Sequence, residues 1–113
     1  MANEPMRKGS TPTLTFTFPD VIDLTLAYKI WLTFTDNTKE ANILFERTLQ
    51  DNEIEVTATT LTTTLTQQDT LSCPKEVCVM ANSLFRDGDT IRRVPSEEVA
   101  LRFTRNLKPE VLE

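Results

Sequence analysis

The run Tyr28-Lys29-Ile30-Trp31-Leu32-Thr33-Phe34-Thr35 decides the fold class. Tyr28, Ile30, Leu32 and Phe34 recur at every second position, which places them on one face of an extended strand. Lys29, Trp31 and Thr33 take the other face. Trp31 is the only tryptophan. On a face shared with Lys and Thr it reads either as a ring lying over threonine methyls or as a contact anchor, a role in which tryptophan is enriched.

The same period extends in both directions. Upstream, Leu14, Phe16 and Phe18 alternate with Thr13, Thr15 and Thr17, and Pro19-Asp20 closes that strand. Downstream, Asp36-Asn37-Thr38-Lys39 is a polar turn. Ile43 to Leu49 reads as a strand of uncertain register, because apolar residues fall on both of its faces. Ile54-Glu55-Val56 and Leu61 to Leu65 form two short strands, joined as a hairpin around Ala58-Thr59-Thr60. The threonine-rich stretch from Thr57 to Thr66 suits a pleated surface with one wet face. Thr66, with Asp69 three residues later, makes a capping box and predicts one helical turn, stopped by Pro74. Glu76 to Ala81 is apolar on both faces, the pattern of a central strand covered on both sides. Asp87-Gly88 is a hairpin signal, and Pro95 marks the strand after it, Thr90 to Val94, as an edge or crossover. Val99, Leu101 and Phe103 form the inward face of a last strand. Seven or eight short strands at this spacing predict a single all-β, antiparallel β-sandwich with one short helical turn. Residues 1–10 read as a flexible arm, 11–107 as the sandwich domain and 108–113 as a tail.

The 113 residues suit one core and leave no room for a second. A net charge of −5 argues against nucleic-acid binding, which requires cations to neutralise phosphates. No apolar run approaches the ~20 residues of a spanning helix, and none follows the basic residues at the N-terminus, so neither a membrane partner nor a secretory signal is expected. The chain contains no histidine, which removes Ser-His-Asp, Cys-His and His-metal sites. Cys73 and Cys78 lack the further ligands a structural zinc needs, and read as reduced, structural thiols, with a local disulfide between them as the alternative. Gly9 and Gly88 stand alone, so no glycine-rich loop can cradle a phosphate. Glu97-Glu98 and the pair Asp87 and Asp89 read as solvated turn acids. By inventory they leave a glycosidase-like acid/base pair open as the lesser reading, and they offer too few oxygens for a calcium site. No enzyme activity, metal or cofactor is expected. Surfaces remain: Met6, Arg7 and Lys8 of the arm, Val111 and Leu112 of the tail, and Trp31 are the candidate protein contacts.

Met6-Arg7-Lys8-Gly9-Ser10-Thr11-Pro12-Thr13-Leu14-Thr15-Phe16 resembles the opening of a set of short phage and prophage proteins. Leu65-Thr66-Gln67-Gln68-Asp69-Thr70-Leu71 is similar to a recurrent segment of theirs, with Gln68 and Asp69 where acids are usual. Leu107 to Leu112 is similar to their closing acidic tail. The nearest named family is the N-terminal domain of phage baseplate upper proteins, which implies an Ig-like sandwich that attaches parts to a tail. This chain has neither the helical linker nor the receptor-binding module of that family, which implies a stand-alone part. The expectation is therefore a non-enzymatic virion protein of the tail or baseplate, made in the bacterial host cytoplasm. Its expected partners are other virion proteins and itself. The alternatives are a capsid decoration or head-fibre-anchoring protein and, from another class, a small carbohydrate-binding sandwich. For the last, Trp31 and Tyr28 are the candidate platform residues, although they fall on opposite strand faces.

Overall fold

The structure is a computed structural model that describes residues 6–18, 23–96, 98–108 and 110–112, and the backbone alone of Asp87. Among the described residues nine strands follow in chain order: β1 (Met6–Arg7), β2 (Thr13–Thr17), β3 (Lys29–Asp36), β4 (Ile43–Thr48), β5 (Glu55–Val56), β6 (Thr60–Thr64), β7 (Glu76–Asp87), β8 (Thr90–Pro95) and β9 (Val99–Thr104). A 3-10 turn at Leu24–Leu26 precedes β3, and the helix α1 (Gln67–Leu71) lies between β6 and β7. The chain is mostly β with one short α-helix, as the alternation predicts. The expected strand end at Pro19-Asp20 lies outside the described residues, as do residues 1–5 of the expected arm and Glu97, Pro109 and Glu113.

The strands form two sheets. The larger runs β1-β9-β7-β3-β4, with β8 also paired to β7, and the smaller runs β2-β6-β5. β3 and β7 are the spine of the larger sheet, antiparallel from Lys29 opposite Leu84 to Asp36 opposite Val77. β9 occupies one half of the far edge of β7, along Glu76–Val79, and β8 the other half, along Asn82–Asp87. Two features differ from expectation. β7 runs past Ala81 to Asp87 because Ser83 and Phe85 continue its inward face through the polar pair Asn82-Ser83. The sheet is also mixed: β1 pairs with β9 in parallel, which a two-residue edge strand can do because no tight hairpin constrains its direction.

Ile30, Leu32 and Phe34 of β3 and Val77, Val79, Ala81 and Phe85 of β7 enter one core with Phe18, Ile54, Leu61 and Leu65. Each of these side chains larger than alanine contributes roughly 1.5–3 kcal/mol by leaving water. Phe34 stacks on Phe45 with ring centroids 4.4 Å apart. The outer face of the smaller sheet is a threonine ladder, with Thr13, Thr15 and Thr17 opposite Thr64, Thr62 and Thr60.

The capping box forms as predicted: the Thr66 hydroxyl accepts from the Asp69 N–H at 3.1 Å, and the Asp69 carboxylate accepts from the Thr66 N–H at 2.9 Å. The Asp69 carboxylate also pairs with Arg47, whose guanidinium lies over the Phe45 ring. Partial burial pushes the Asp69 carboxyl up, but Arg47 and the bonds from Thr66 outweigh it and hold it below its ordinary range.

The Asp-Gly hairpin also forms, with a shift in its register. Asp87 and Thr90 are paired, so Gly88 and Asp89 make the two-residue loop, and Gly88 takes φ +62° at its first position. That is where a type II′ turn reserves a place for glycine.

Candidate protein-contact face

The inner face of the larger sheet is filled; its outer face carries the site. β3 presents Trp31, Thr33 and Thr35 outward, and the register sets them beside Asn82, Met80 and Cys78 of β7. On the other flank Trp31, Thr33 and Thr35 meet Thr48, Glu46 and Ile43 of β4. The pairing slips by one residue between Phe34 and Thr35, a bulge that brings Ile43 onto this face. Leu84 is opposite Arg93, and Arg86 opposite Ile91. Trp31, Thr33, Ile43, Met80, Leu84 and Arg93, with Glu46, Asn82, Cys78 and Glu98, line a groove of about 670 Å³, and Arg86 and Ile91 lie beyond it on the same face. Ile43 and Ile91 are 63% and 56% exposed, and they extend the apolar surface of this face beside Trp31, Met80 and Leu84.

The polar groups of the groove are placed by local bonds. The Thr33 hydroxyl donates to Glu46 at 2.7 Å, and the Arg93 Nε donates to the Asn82 side-chain oxygen at 3.0 Å. Asp36 ends β3 and closes the turn to β4 by accepting from Thr38 at 2.6 Å and from the Asn42 N–H at 3.0 Å. Those bonds hold its carboxyl below its ordinary value. Cys78 is buried at one end of the groove and donates to the Asn37 side-chain oxygen at 3.4 Å. Burial raises its thiol pKa, helped by the carboxylates of Glu98, Glu76 and Asp36. Cys73 lies elsewhere, at the end of α1, where burial and then Asp69 push its thiol up to about 11. Neither cysteine is bridged. Both thiols are therefore poor nucleophiles at neutral pH. Among the described residues no group of three or more Cys, Asp or Glu side chains is placed to hold a metal ion.

The structure divides the candidate contact residues into two places. Trp31 lies in the groove. Met6 and Arg7 pair with Phe103 and Thr104, and the Lys8 N–H donates to Thr104 O at 2.9 Å. The residues after them dock on α1: the Gly9 N–H donates to the Thr70 hydroxyl at 2.8 Å, and that hydroxyl donates to Ser10 O at 2.8 Å. Gly9 takes φ +87°, and a Cβ there would lie 3.2 Å from the Asn106 amide, so this docking requires glycine. Leu112 is held by Gln67, whose side chain donates to Leu112 O at 2.8 Å and accepts from its N–H at 2.7 Å. Met6 to Lys8 thus lie along β9, and Gly9, Ser10 and Leu112 gather around α1, while the flanking Val111 stays 46% exposed. Tyr28 is not in the groove; the Arg86 guanidinium lies over its ring, 4.8 Å from the centroid.

Met80, Leu84, Ile43, Arg93 and Glu98 belong to the groove and escaped sequence reasoning. One signal for them was present, since apolar residues on both faces of residues 76–81 predict cover on both sides. The described residues supply a second layer on the inner face only. Comparison with protein-family models, curated proteins and solved structures finds no match to this chain.

Proposed function

We propose that the chain is an Ig-like β-sandwich serving as a non-enzymatic building block of a phage virion, at the tail or baseplate. It works through protein contacts made by the outer face of its larger sheet. One observation carries this reading: a central sheet face bearing Trp31, Met80, Leu84, Ile43 and Ile91 is left uncovered by the described residues. Apolar area of that kind, rimmed by charges, is the anatomy of a protein interface. The resemblance of Met6–Phe16 and Leu65–Leu71 to short phage proteins supports the virion assignment. Placement in the virion makes the partners other virion proteins and the site of synthesis the host cytoplasm.

The test is mass spectrometry of particles purified from the bacterium that carries the gene, after separating heads from tails. Recovery at stoichiometric levels in the tail fraction is expected, and Trp31→Ala should reduce it. Recovery with heads instead would favour the capsid-decoration alternative, and absence from particles would sink the virion reading. The carbohydrate-binding alternative draws on the groove itself, where Trp31 lies beside Asn82, Glu46 and Arg93. A glycan array with Trp31→Ala as control decides it, and only binding lost in the variant would sustain it.

A further inference from the structure

Along β7 and its edge partners β8 and β9 the charges of the outer face are sorted by strand end, while Asp51 and Glu53 stand at the β4 margin, bonded to the Thr48 hydroxyl. At the β8 end stand Lys29, Arg86 and Arg93, the last two flanking Leu84 and Ile91. At the β9 end stand Glu98 and Glu76, with the carboxylate of Asp36 close enough to bear on Cys78. Arg102, opposite Glu76, is the one cation at that end among the described residues on this face. Between the two ends lie Trp31 and Met80.

β8 and β9 occupy successive halves of the same edge of β7. A two-fold axis lying over the face and running across the strands at the level of Trp31 and Asn82 therefore exchanges the two halves. Under that rotation Arg93, level with Leu84, comes over Glu98, which lines the groove beside Met80 on the second copy. Arg86 comes over the carboxylate-rich surroundings of Cys78. Trp31, on the axis, meets its own counterpart, and Leu84 covers Met80. A patch whose cations fall on its own anions after a two-fold rotation is self-complementary, which is what an isologous interface requires. A standard interface needs roughly 800 Å² from each partner, about a tenth of the 7446 Å² surface of this chain.

From this arrangement we infer that the outer face of the larger sheet binds a second copy of the same face, forming a two-fold dimer with Trp31 at its centre. The inference rests on reading this face as a protein-binding surface and names its occupant. An unrelated protein on the same face would have no reason to match a charge pattern that inverts on itself.

The test uses the full chain and two charge reversals, Arg93→Glu and Glu98→Arg, both at exposed positions. Sedimentation velocity should show a wild-type dimer. Each reversal alone sets like charges against each other across the axis, and should weaken dimerisation by roughly tenfold or more. Mixing the two variants should restore it, because in the mixed dimer every Glu again faces an Arg. Fluorescence of the sole tryptophan should shift to the blue as dimer forms. A wild-type chain that stays monomeric up to about 1 mM, where pairing would be worth no more than about 4 kcal/mol, overturns the inference. So does a dimer indifferent to both reversals, or a pair of variants that does not reassociate on mixing. If the copies fail to pair but the chain is still recovered in virions, self-pairing alone falls. If they pair and the chain is absent from particles, the virion reading falls and the dimer stands.

Discussion

The molecule has two outward sheet faces, and they are built on opposite plans. On the smaller sheet the outward positions of β2 and β6 are all threonine, and the hydroxyls bond across the strands, Thr13 to Thr64 at 2.9 Å and Thr15 to Thr62 at 3.4 Å. That surface satisfies itself and offers water a hydroxyl at each position. On the larger sheet the same outward positions carry Trp31, Met80, Leu84 and Ile91. Both faces use residues that favour strands, so backbone propensity does not separate them. The chain can build a wet face and does so once. The apolar side chains of the other face are a cost in water that a partner seated on it would remove.

The widest test of that contrast sets an outward residue against its inward neighbour. Phe34→Ala should lower stability by about 3–5 kcal/mol, since a fully buried ring stacked on Phe45 leaves a cavity. Trp31→Ala, three residues away on the outward side, should cost the isolated chain about 1 kcal/mol or less. Urea denaturation of both variants checks the pair. Equal losses would mean that Trp31 is core and the outer face is not an interface.

A smaller effect is expected where α1 meets β4. Asp69→Asn keeps a capping acceptor but removes the charge that pairs with Arg47, and should cost about 1 kcal/mol at neutral pH. The folded carboxyl lies below its ordinary value of 3.8, so its contribution is present above that pH and is lost as pH falls through the lower folded value. Urea midpoints followed from about pH 6 to about pH 2 should therefore converge for wild type and Asp69→Asn at the acid end. Parallel curves would place the acid sensitivity elsewhere.

The smallest effect has the opposite sign. Ser83 sits on the inward side of β7, fully buried, and its hydroxyl has no hydrogen-bond partner among the described residues. Ser83→Ala should stabilise the chain by up to about 1 kcal/mol, because it removes a polar group desolvated without compensation. A loss on thermal melting would show that the hydroxyl is satisfied in solution.

How much of this is legible in the sequence depends on what kind of neighbour each residue has. The longer alternating strands, the capping box and the hairpin at Gly88 follow from contacts within a few residues and are readable, whereas β1 and the second half of β7 are not. The inward assignment of Ile30, Leu32 and Phe34 also follows, because alternation alone defines a face. The groove is different in kind. It is assembled from β3, β4, β7 and β8, and only long-range register puts Met80 beside Thr33 or Arg93 beside Leu84. The bulge that turns Ile43 outward leaves no local mark either. Trp31 was a visible candidate because its residue type is rare on a threonine-lined face. Its neighbours are ordinary side chains whose meaning is purely positional. The parallel pairing of β1 was equally hidden, since two residues carry no periodicity.

That parallel pairing bears on how the chain carries load. Tension on the two ends would first release Leu112 from Gln67 and would then reach β1 and β9. Because these strands run in the same direction, the N-terminal pull and the C-terminal pull act along them in opposite senses, and their hydrogen bonds are strained together in shear. The bond from the Lys8 N–H to Thr104 O, the Asn106 amide bond to Lys8 O at 2.8 Å and the Gly9–Thr70 contact share that strain. Resistance to forced opening is set by an unfolding rate and not by overall stability. A short edge strand that adds little to equilibrium folding thus becomes the mechanical clasp of the domain.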